Sequence, residues 1–205
     1  RLLVLSDFNA DLLCRYAANA GPFAGYACAA APYGQMYQTL ARPPEDGTVA
    51  AIVWTLPSGV IPTFARAADY EPIDVEQCLV EVDRFVEALL AYARELRFVF
   101  VAAWVLPAAH RGYGMLEWRP GLGLSHLLAR MNQRLAERLA VLPQAYLFDA
   151  ARWTSGPAGT AAARLWYAAK VPYRTEVFEC AVRDFGAALD ALGGRSRKLV
   201  VVDHG

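Results

Sequence analysis

Ser6, Asp7 and Asn9 follow directly on the apolar run that opens the chain, Leu2-Leu3-Val4-Leu5. A hydroxyl, a carboxylate and an amide at the carboxyl end of a buried strand suit a nucleophile or anion contacts at a helix amino terminus. Asp7 and Asn9 equally suit plain helix capping, and both readings stay open on composition. A second acid, Asp203, closes the run Leu199-Val200-Val201-Val202 and is followed by His204 and Gly205. Acids at strand tips are where α/β proteins gather catalytic groups, so Asp203 reads either as an acid of an interrupted active site or as a solvated Asp at the tip of an ordinary last strand.

Lys170 is one of two lysines, with Lys198, and lies between Trp166-Tyr167 and Pro172-Tyr173. It suits a carboxylate or phosphate as a point charge, or else a solvated head whose stem covers aromatic rings. Trp104, at the end of an apolar run, is a candidate pocket wall. The histidines His110, His126 and His204 show no paired spacing, and Cys14, Cys28, Cys78 and Cys180 form no Cys-x-x-Cys. No metal site is therefore expected, and the cysteines read as reduced and structural. Gly121-Leu122-Gly123 precedes a helix without following a strand, which makes it a turn rather than a phosphate loop.

These groups need a scaffold, and the hydropathy pattern supplies one. Strands are expected at Arg1 to Ser6, Phe23 to Ala29, Thr48 to Thr55, Phe98 to Trp104, Ala145 to Phe148 and Leu199 to Asp203. Helices are expected between them, the clearest from about Asp74 to Leu96, with others over about Leu124 to Leu139 and Thr175 to Leu192. Asp74 and Gln77 resemble a capping box, with Ile73 and Cys78 as the hydrophobic staple. Pro57, Gly59 and Pro62 read as a break after the third strand. The run Phe98 to Trp104 is almost wholly apolar, as in a strand covered on both faces of a parallel sheet. The expected fold is α/β, three-layer α/β/α, with a mainly parallel five-stranded sheet of SGNH or flavodoxin-like type.

Composition narrows the function classes. Lys plus Arg and Asp plus Glu are both 20, so the formal net charge is zero. No overall field draws the chain to nucleic acid or to an anionic membrane. The longest strongly apolar run, Phe98 to Ala109, falls short of the ~20 residues that span a bilayer. The expectation is a cytoplasmic protein with neither a nucleic-acid nor a membrane partner.

The opening Leu5-Ser6-Asp7-Phe8-Asn9 resembles the first block of SGNH hydrolases, a strand running into Gly-Asp-Ser. In this register Ser6 takes the glycine position, Asp7 the aspartate and Phe8 the position of the nucleophilic serine. The Gly-x-Asn-Asp block has no counterpart in Trp54-Thr55-Leu56-Pro57-Ser58-Gly59. Ala163-Arg164-Leu165-Trp166 stands where Asp-x-x-His is expected. The resemblance thus implies a scaffold without the triad. The alternative is an acyl hydrolase or acyltransferase with Ser6 as a shifted nucleophile and His110 or His126 as base.

The ordered set Leu3 to Asn9, Phe100 to Pro107, Leu165 to Tyr173 and Ala191 to Asp203 resembles the amino-terminal half of FkbH-like proteins. The resemblance implies an SGNH-like domain over 1–194, then a linker and first strand of a haloacid-dehalogenase-type phosphatase domain over 195–205. Asp203 matches the first acid of that domain's Asp-x-Asp motif, and Gly205 replaces the second. The resemblance further implies Mg2+ for the phosphatase domain and no cofactor for the residues before it. As partners it implies a phosphorylated glyceryl donor and an acyl carrier protein, in polyketide biosynthesis, with Ser6, Asp7, Asn9, Trp104 and Lys170 as contact residues.

Overall fold

The computed structural model describes residues 1–106, 110, 112–155 and 163–195. Asp203 and the expected strand Leu199 to Asp203 lie outside the described residues.

The chain alternates strand and helix. In order it runs β1 (Leu2–Leu5), α1 (Asp11–Ala18), β2 (Cys28–Ala30), α2 (Met36–Leu40), β3 (Ala50–Val53), α3 (Pro57–Val60), α4 (Pro62–Ala68), α5 (Val75–Ala93), β4 (Phe98–Ala102), α6 (Leu124–Leu139), β5 (Ala145–Phe148), α7 (Ala151–Thr154), α8 (Ala163–Ala169) and α9 (Thr175–Leu192). The strands form one parallel sheet in the order β2-β1-β3-β4-β5. This is the doubly wound topology expected from the strand-helix rhythm.

Strand alternation divides the core into two halves. Leu3, Leu5, Ala51, Val53, Val99 and Val101 face a layer built from α2, α4, α5 and α6. Leu2, Val4, Ala50, Ile52, Phe98 and Phe100 face α1 and α9. Because the side-chain period of a strand is two, near-continuous apolar strands can serve both layers at once. β1, β3 and β4 are buried along their whole lengths.

The local signals that start helices differ in kind. The Asp74 side chain accepts a hydrogen bond from Gln77 N at 2.9 Å, so α5 begins where the capping pattern placed it. Pro57 and Pro62, expected to break the third strand, follow its end at Val53 and open α3 and α4. Proline suits the first helical turn because that turn's N–H groups lack intrahelical partners anyway. β2 is shorter than expected: a 3₁₀ turn at Gly21–Phe23 takes up the start of that segment.

Among the described residues, no helix is long and apolar enough to cross a membrane. Nor does any group of three or more His, Cys, Asp or Glu there stand ready to hold a metal ion.

Candidate functional site at the carboxyl edge of the sheet

The chain passes from β1 out to β2 on one side, then crosses back to β3 on the other. The loops after β1 and β3 consequently diverge and leave a crevice at their carboxyl ends, the usual ligand position in such sheets. A cavity of about 450 Å3 opens there, lined among others by Asp7, Tyr37, Leu56, Ser58, Gly59 and Trp166. Four separate segments contribute: the loop after β1, the loop after β2 with α2, the loop after β3 with α3, and helix α8.

Asp7 is the charged group of this crevice. Its Oδ1 accepts a hydrogen bond from Leu56 N at 2.8 Å, which ties the loop after β1 to the loop after β3. Its Oδ2 faces the Cα of Gly59 so closely that a β-carbon there would overlap it. Burial pushes the Asp7 carboxyl up to about 6, and backbone N–H groups of Leu56 and Asp7 itself hold it from rising further. At neutral pH it is therefore a poorly solvated anion whose charge is only partly offset.

Ser6 is buried, and its Oγ accepts from Phe8 N at 3.1 Å. Among the described residues no histidine hydrogen-bonds to Ser6. His110 Nε2 is instead 3.1 Å from Glu117 Oε1. His126 lies in the first turn of α6, where its backbone N donates to Glu117 O. Neither arrangement supplies the base that a Ser6 nucleophile requires.

Phe8, to which the resemblance to SGNH hydrolases gives the nucleophile position, is turned inward. It meets Trp54, Tyr173 and Phe178 with ring centroids 5.8, 6.0 and 6.3 Å away. The edge-to-face contacts with Trp54 and Tyr173 fix ring orientation as well as burying area. The same cluster buries Tyr173, whose hydroxyl is raised well above the usual phenol range by burial and then by the Asp7 carboxylate.

Asn9 caps: its Oδ1 accepts from Asp11 N, the first residue of α1, at 2.9 Å. Asn9 N also donates to the carbonyl of Lys170 at 3.0 Å, so the loop after β1 is held to the end of α8. Lys170 is exposed, with its Nζ 5.2 Å from the Trp166 ring centroid. The ammonium thus stands over an aromatic ring that lines the crevice.

Trp104 does not line the crevice. It is 2% exposed, packed against Phe85, and its Nε1 donates to Thr55 Oγ1 at 2.9 Å. Asn132 accepts from its backbone N and donates to its carbonyl. The expectation of a contact residue is corrected: Trp104 holds the tip of β3 from behind and has no face to offer a ligand. Its apolar run made a strand end legible, but which way the indole turns depends on Thr55 and Asn132, far away in sequence.

Sequence reasoning missed Gly59 and Glu117. Gly59 reads in the sequence as part of the break after the third strand, whereas its lack of a side chain also makes room for Asp7. Glu117 accepts hydrogen bonds from Tyr113 N at 2.6 Å, Ser125 N at 3.0 Å and Ser125 Oγ at 2.8 Å, besides its contact with His110. Burial works to raise its carboxyl, but these donors overcome burial and bring it to about 2. Its task is to shape the loop after β4 and to cap α6. The pattern Glu117-x₇-Ser125 carries no familiar spacing that would have revealed it.

No protein-family model matches the chain, and no curated protein matches it. Among solved structures the chain is similar to the N-terminal part of the protein BF1531 from Bacteroides fragilis, containing a phosphatase domain and complexed with Mg. The TM-score is 0.72 at 11% identity, over 94% of this chain and 52% of that one. The chain thus spans about half the length of that structure. At this identity the likeness establishes a shared α/β/α fold, and the fold alone.

Proposed function

We propose that this is a non-hydrolytic, SGNH-like binding domain belonging to an FkbH-like protein, working in the cytoplasm. Its crevice receives or positions the glyceryl unit that passes from a phosphorylated three-carbon donor to an acyl carrier protein. The observation that carries the reading is the pairing of Asp7 with Gly59 at the mouth between β1 and β3. A carboxylate kept in a costly setting beside an open cavity suits ligand recognition better than structure. The filled nucleophile position at Phe8 and the missing base beside Ser6 support binding over hydrolysis. On α8, next to Trp166, Leu165 and Tyr167 are exposed apolar side chains suited to a protein partner. The ordered resemblance to FkbH-like proteins supports the donor and carrier. Likeness in fold to a longer chain containing a phosphatase domain is consistent with it. Mg2+ belongs, on this reading, to the phosphatase domain that Asp203 would open.

The test is calorimetric titration of the chain with acyl carrier protein, glyceryl-loaded and unloaded. Binding that weakens about tenfold or more, ~1.4 kcal/mol, in Gly59→Ala is expected. Equal affinity of variant and wild type for both carriers would remove the crevice from the interaction. Hydrolysis of small aryl or acyl esters that disappears in Ser6→Ala would overturn the non-hydrolytic reading altogether.

A further inference from the structure

The loop between β4 and α6 reverses the usual polarity of a surface. Its one carboxylate, Glu117, points inward and is held by Tyr113 N, Ser125 N and Ser125 Oγ. Its large apolar side chains point outward: Met115 is 97% exposed, Trp118 is 69% exposed, and Leu116 and Leu122 are exposed as well. Leu122 N and Gly123 N both donate to the carbonyl of Arg119, and His126 N donates to that of Glu117. A β-carbon on Gly123 would overlap the Glu117 carbonyl, so the loop closes tightly on the start of α6. Side chains presented on a backbone fixed in this way lose little freedom on docking.

Tyr70, just after α4, extends this surface. It is 61% exposed, and its ring meets that of Tyr113 edge-on with centroids 5.6 Å apart. Its φ is 68°, in the left-handed region that favours glycine. A large ring kept at such a position and left mostly in water points to a use outside the chain's own core.

Single exposed apolar residues need no explanation, but a contiguous group rimmed by charge marks an interface. The rim here is polarised. Asp69 and Glu71 flank Tyr70, Arg119 follows Trp118, and all three are exposed. Glu71 reaches Arg66 only at 3.7 Å, with both side chains more than half exposed, so its carboxylate stays open to a second cation.

We propose that this face is a two-fold interface between two copies of the chain, with Met115 and Trp118 at its apolar centre and Arg119 of each copy set against Asp69 and Glu71 of the other. A surface with acid at one end and base at the other is complementary to itself when turned through a half rotation. A wholly acidic or wholly basic partner would match only one end, which favours a second copy over an unrelated protein. Aromatic side chains bury ~150–250 Å2 each, so five large residues per copy reach the ~1,000 Å2 in total that a specific interface needs. Tryptophan is also a residue on which interface energy concentrates. The interface is independent of what the crevice binds.

Sedimentation equilibrium of the chain from about 1 µM to 1 mM tests the proposal. The expected result is a reversible shift from the mass of one chain to that of two, with no higher species. Trp118→Ala should weaken the dimer about tenfold or more. Arg119→Glu and Glu71→Arg should each weaken it about tenfold, because each variant meets its own copy with like charges. Mixed together, the two variants should return to within about twofold of the wild-type affinity, since both cross pairs are then opposite in sign. No contact within a single chain produces that recovery. A chain that stays monomeric throughout, leaving the face to another partner, would overturn the proposal. So would a dimer indifferent to Trp118→Ala, or a mixture that associates no more tightly than its separate variants. The charge variants alter exposed side chains, so the mixing arm decides the matter even where Trp118→Ala folds poorly.

Discussion

Asp7 and Gly59 meet across the gap between β1 and β3, with Oδ2 of the carboxylate lying where a side chain at residue 59 would begin. Close approach, rather than backbone conformation, is what requires glycine here, since Gly59 is not among the positive-φ glycines. The loop after β3 can close on Asp7 and donate Leu56 N to it only because residue 59 has no Cβ. The crevice therefore depends on one contact between residues 52 positions apart.

Gly59→Ala should expel the carboxylate from its position. The methyl group must displace Asp7, the α3 backbone, or both, at a cost of about 1–3 kcal/mol typical of overpacking. Denaturant unfolding should register that loss. Asp7→Ala combined with Gly59→Ala should recover most of it, because the clash partner is then gone. Additive losses in the double variant would show that the strain lies elsewhere.

Asp7→Asn should stabilise the protein at neutral pH. The native carboxyl sits near 6, raised from 3.8 by burial. A raised acid binds its proton more tightly when folded, so its contribution is full below the unfolded value and is lost as pH rises toward 6. Two units correspond to roughly 2–3 kcal/mol. Asn keeps an acceptor for Leu56 N and carries no charge to desolvate. Wild-type stability, taken as the difference from Asp7→Asn, should decline between about pH 4 and 6 and then level off. A gain in stability accompanied by weaker ligand binding would mark a residue kept for function. A pH-independent difference would remove the desolvated carboxylate from the account.

The strands, the helices and the layered parallel architecture are largely legible in the sequence, because continuous apolar strands such as Phe98–Ala102 and the amphipathic α5 answer to local periodicity. The capping acid Asp74 was readable for the same reason. The site was legible only in outline. Position along the sheet pointed to Ser6, Asp7 and Asn9, but the neighbours that decide their roles come from distant loops. Leu56 and Gly59 set the state of Asp7, Lys170 O ties down Asn9, and Thr55 draws Trp104 inward. Pro57 and Pro62 mark the end of the third strand but not the helices they open, since the ring that ends a strand also suits a first helical turn.

Glu117→Gln should destabilise the loop after β4 by about 1–3 kcal/mol at neutral pH, through weaker acceptance from four donors in a mostly covered site. Here the sign is opposite to that of Asp7. The folded carboxyl, at about 2, lies below its ordinary value. Its stabilisation is present above the unfolded value and is lost as pH falls from about 4.5 toward 2. Chemical denaturation of wild type and variant across that window should converge at its acid end. Parallel curves would deny Glu117 this role.

Lys170 has φ of 55°, a left-handed conformation that costs a side-chain-bearing residue about 1 kcal/mol. It ends α8, donating its N–H to Trp166 O and offering its carbonyl to Asn9 N. Lys170→Gly and Lys170→Ala both remove the ammonium from the Trp166 ring, yet only glycine relieves the backbone. The glycine variant should therefore be the more stable of the two by about 1 kcal/mol, with equal losses in any anion binding. Equal stability of the two variants would argue against strain at this cap.

Phe8→Ser places a hydroxyl at the position to which the resemblance to SGNH hydrolases gives the nucleophile, and it should not create an esterase. The Phe8 ring is 2% exposed and points into the cluster of Trp54, Tyr173 and Phe178, away from the crevice. A serine there inherits that direction, leaves a cavity the size of a phenyl ring, and costs about 3–5 kcal/mol. It also gains no base, because His110 is engaged with Glu117 and Ala163-Arg164-Leu165-Trp166 supplies no histidine. Ester hydrolysis should stay at the uncatalysed rate while the melting temperature drops. Should the variant hydrolyse esters in a manner that Ser6→Ala leaves untouched, the inward course of the chain at residue 8 would have to give way to one that faces the crevice, and with it the case for a binding domain.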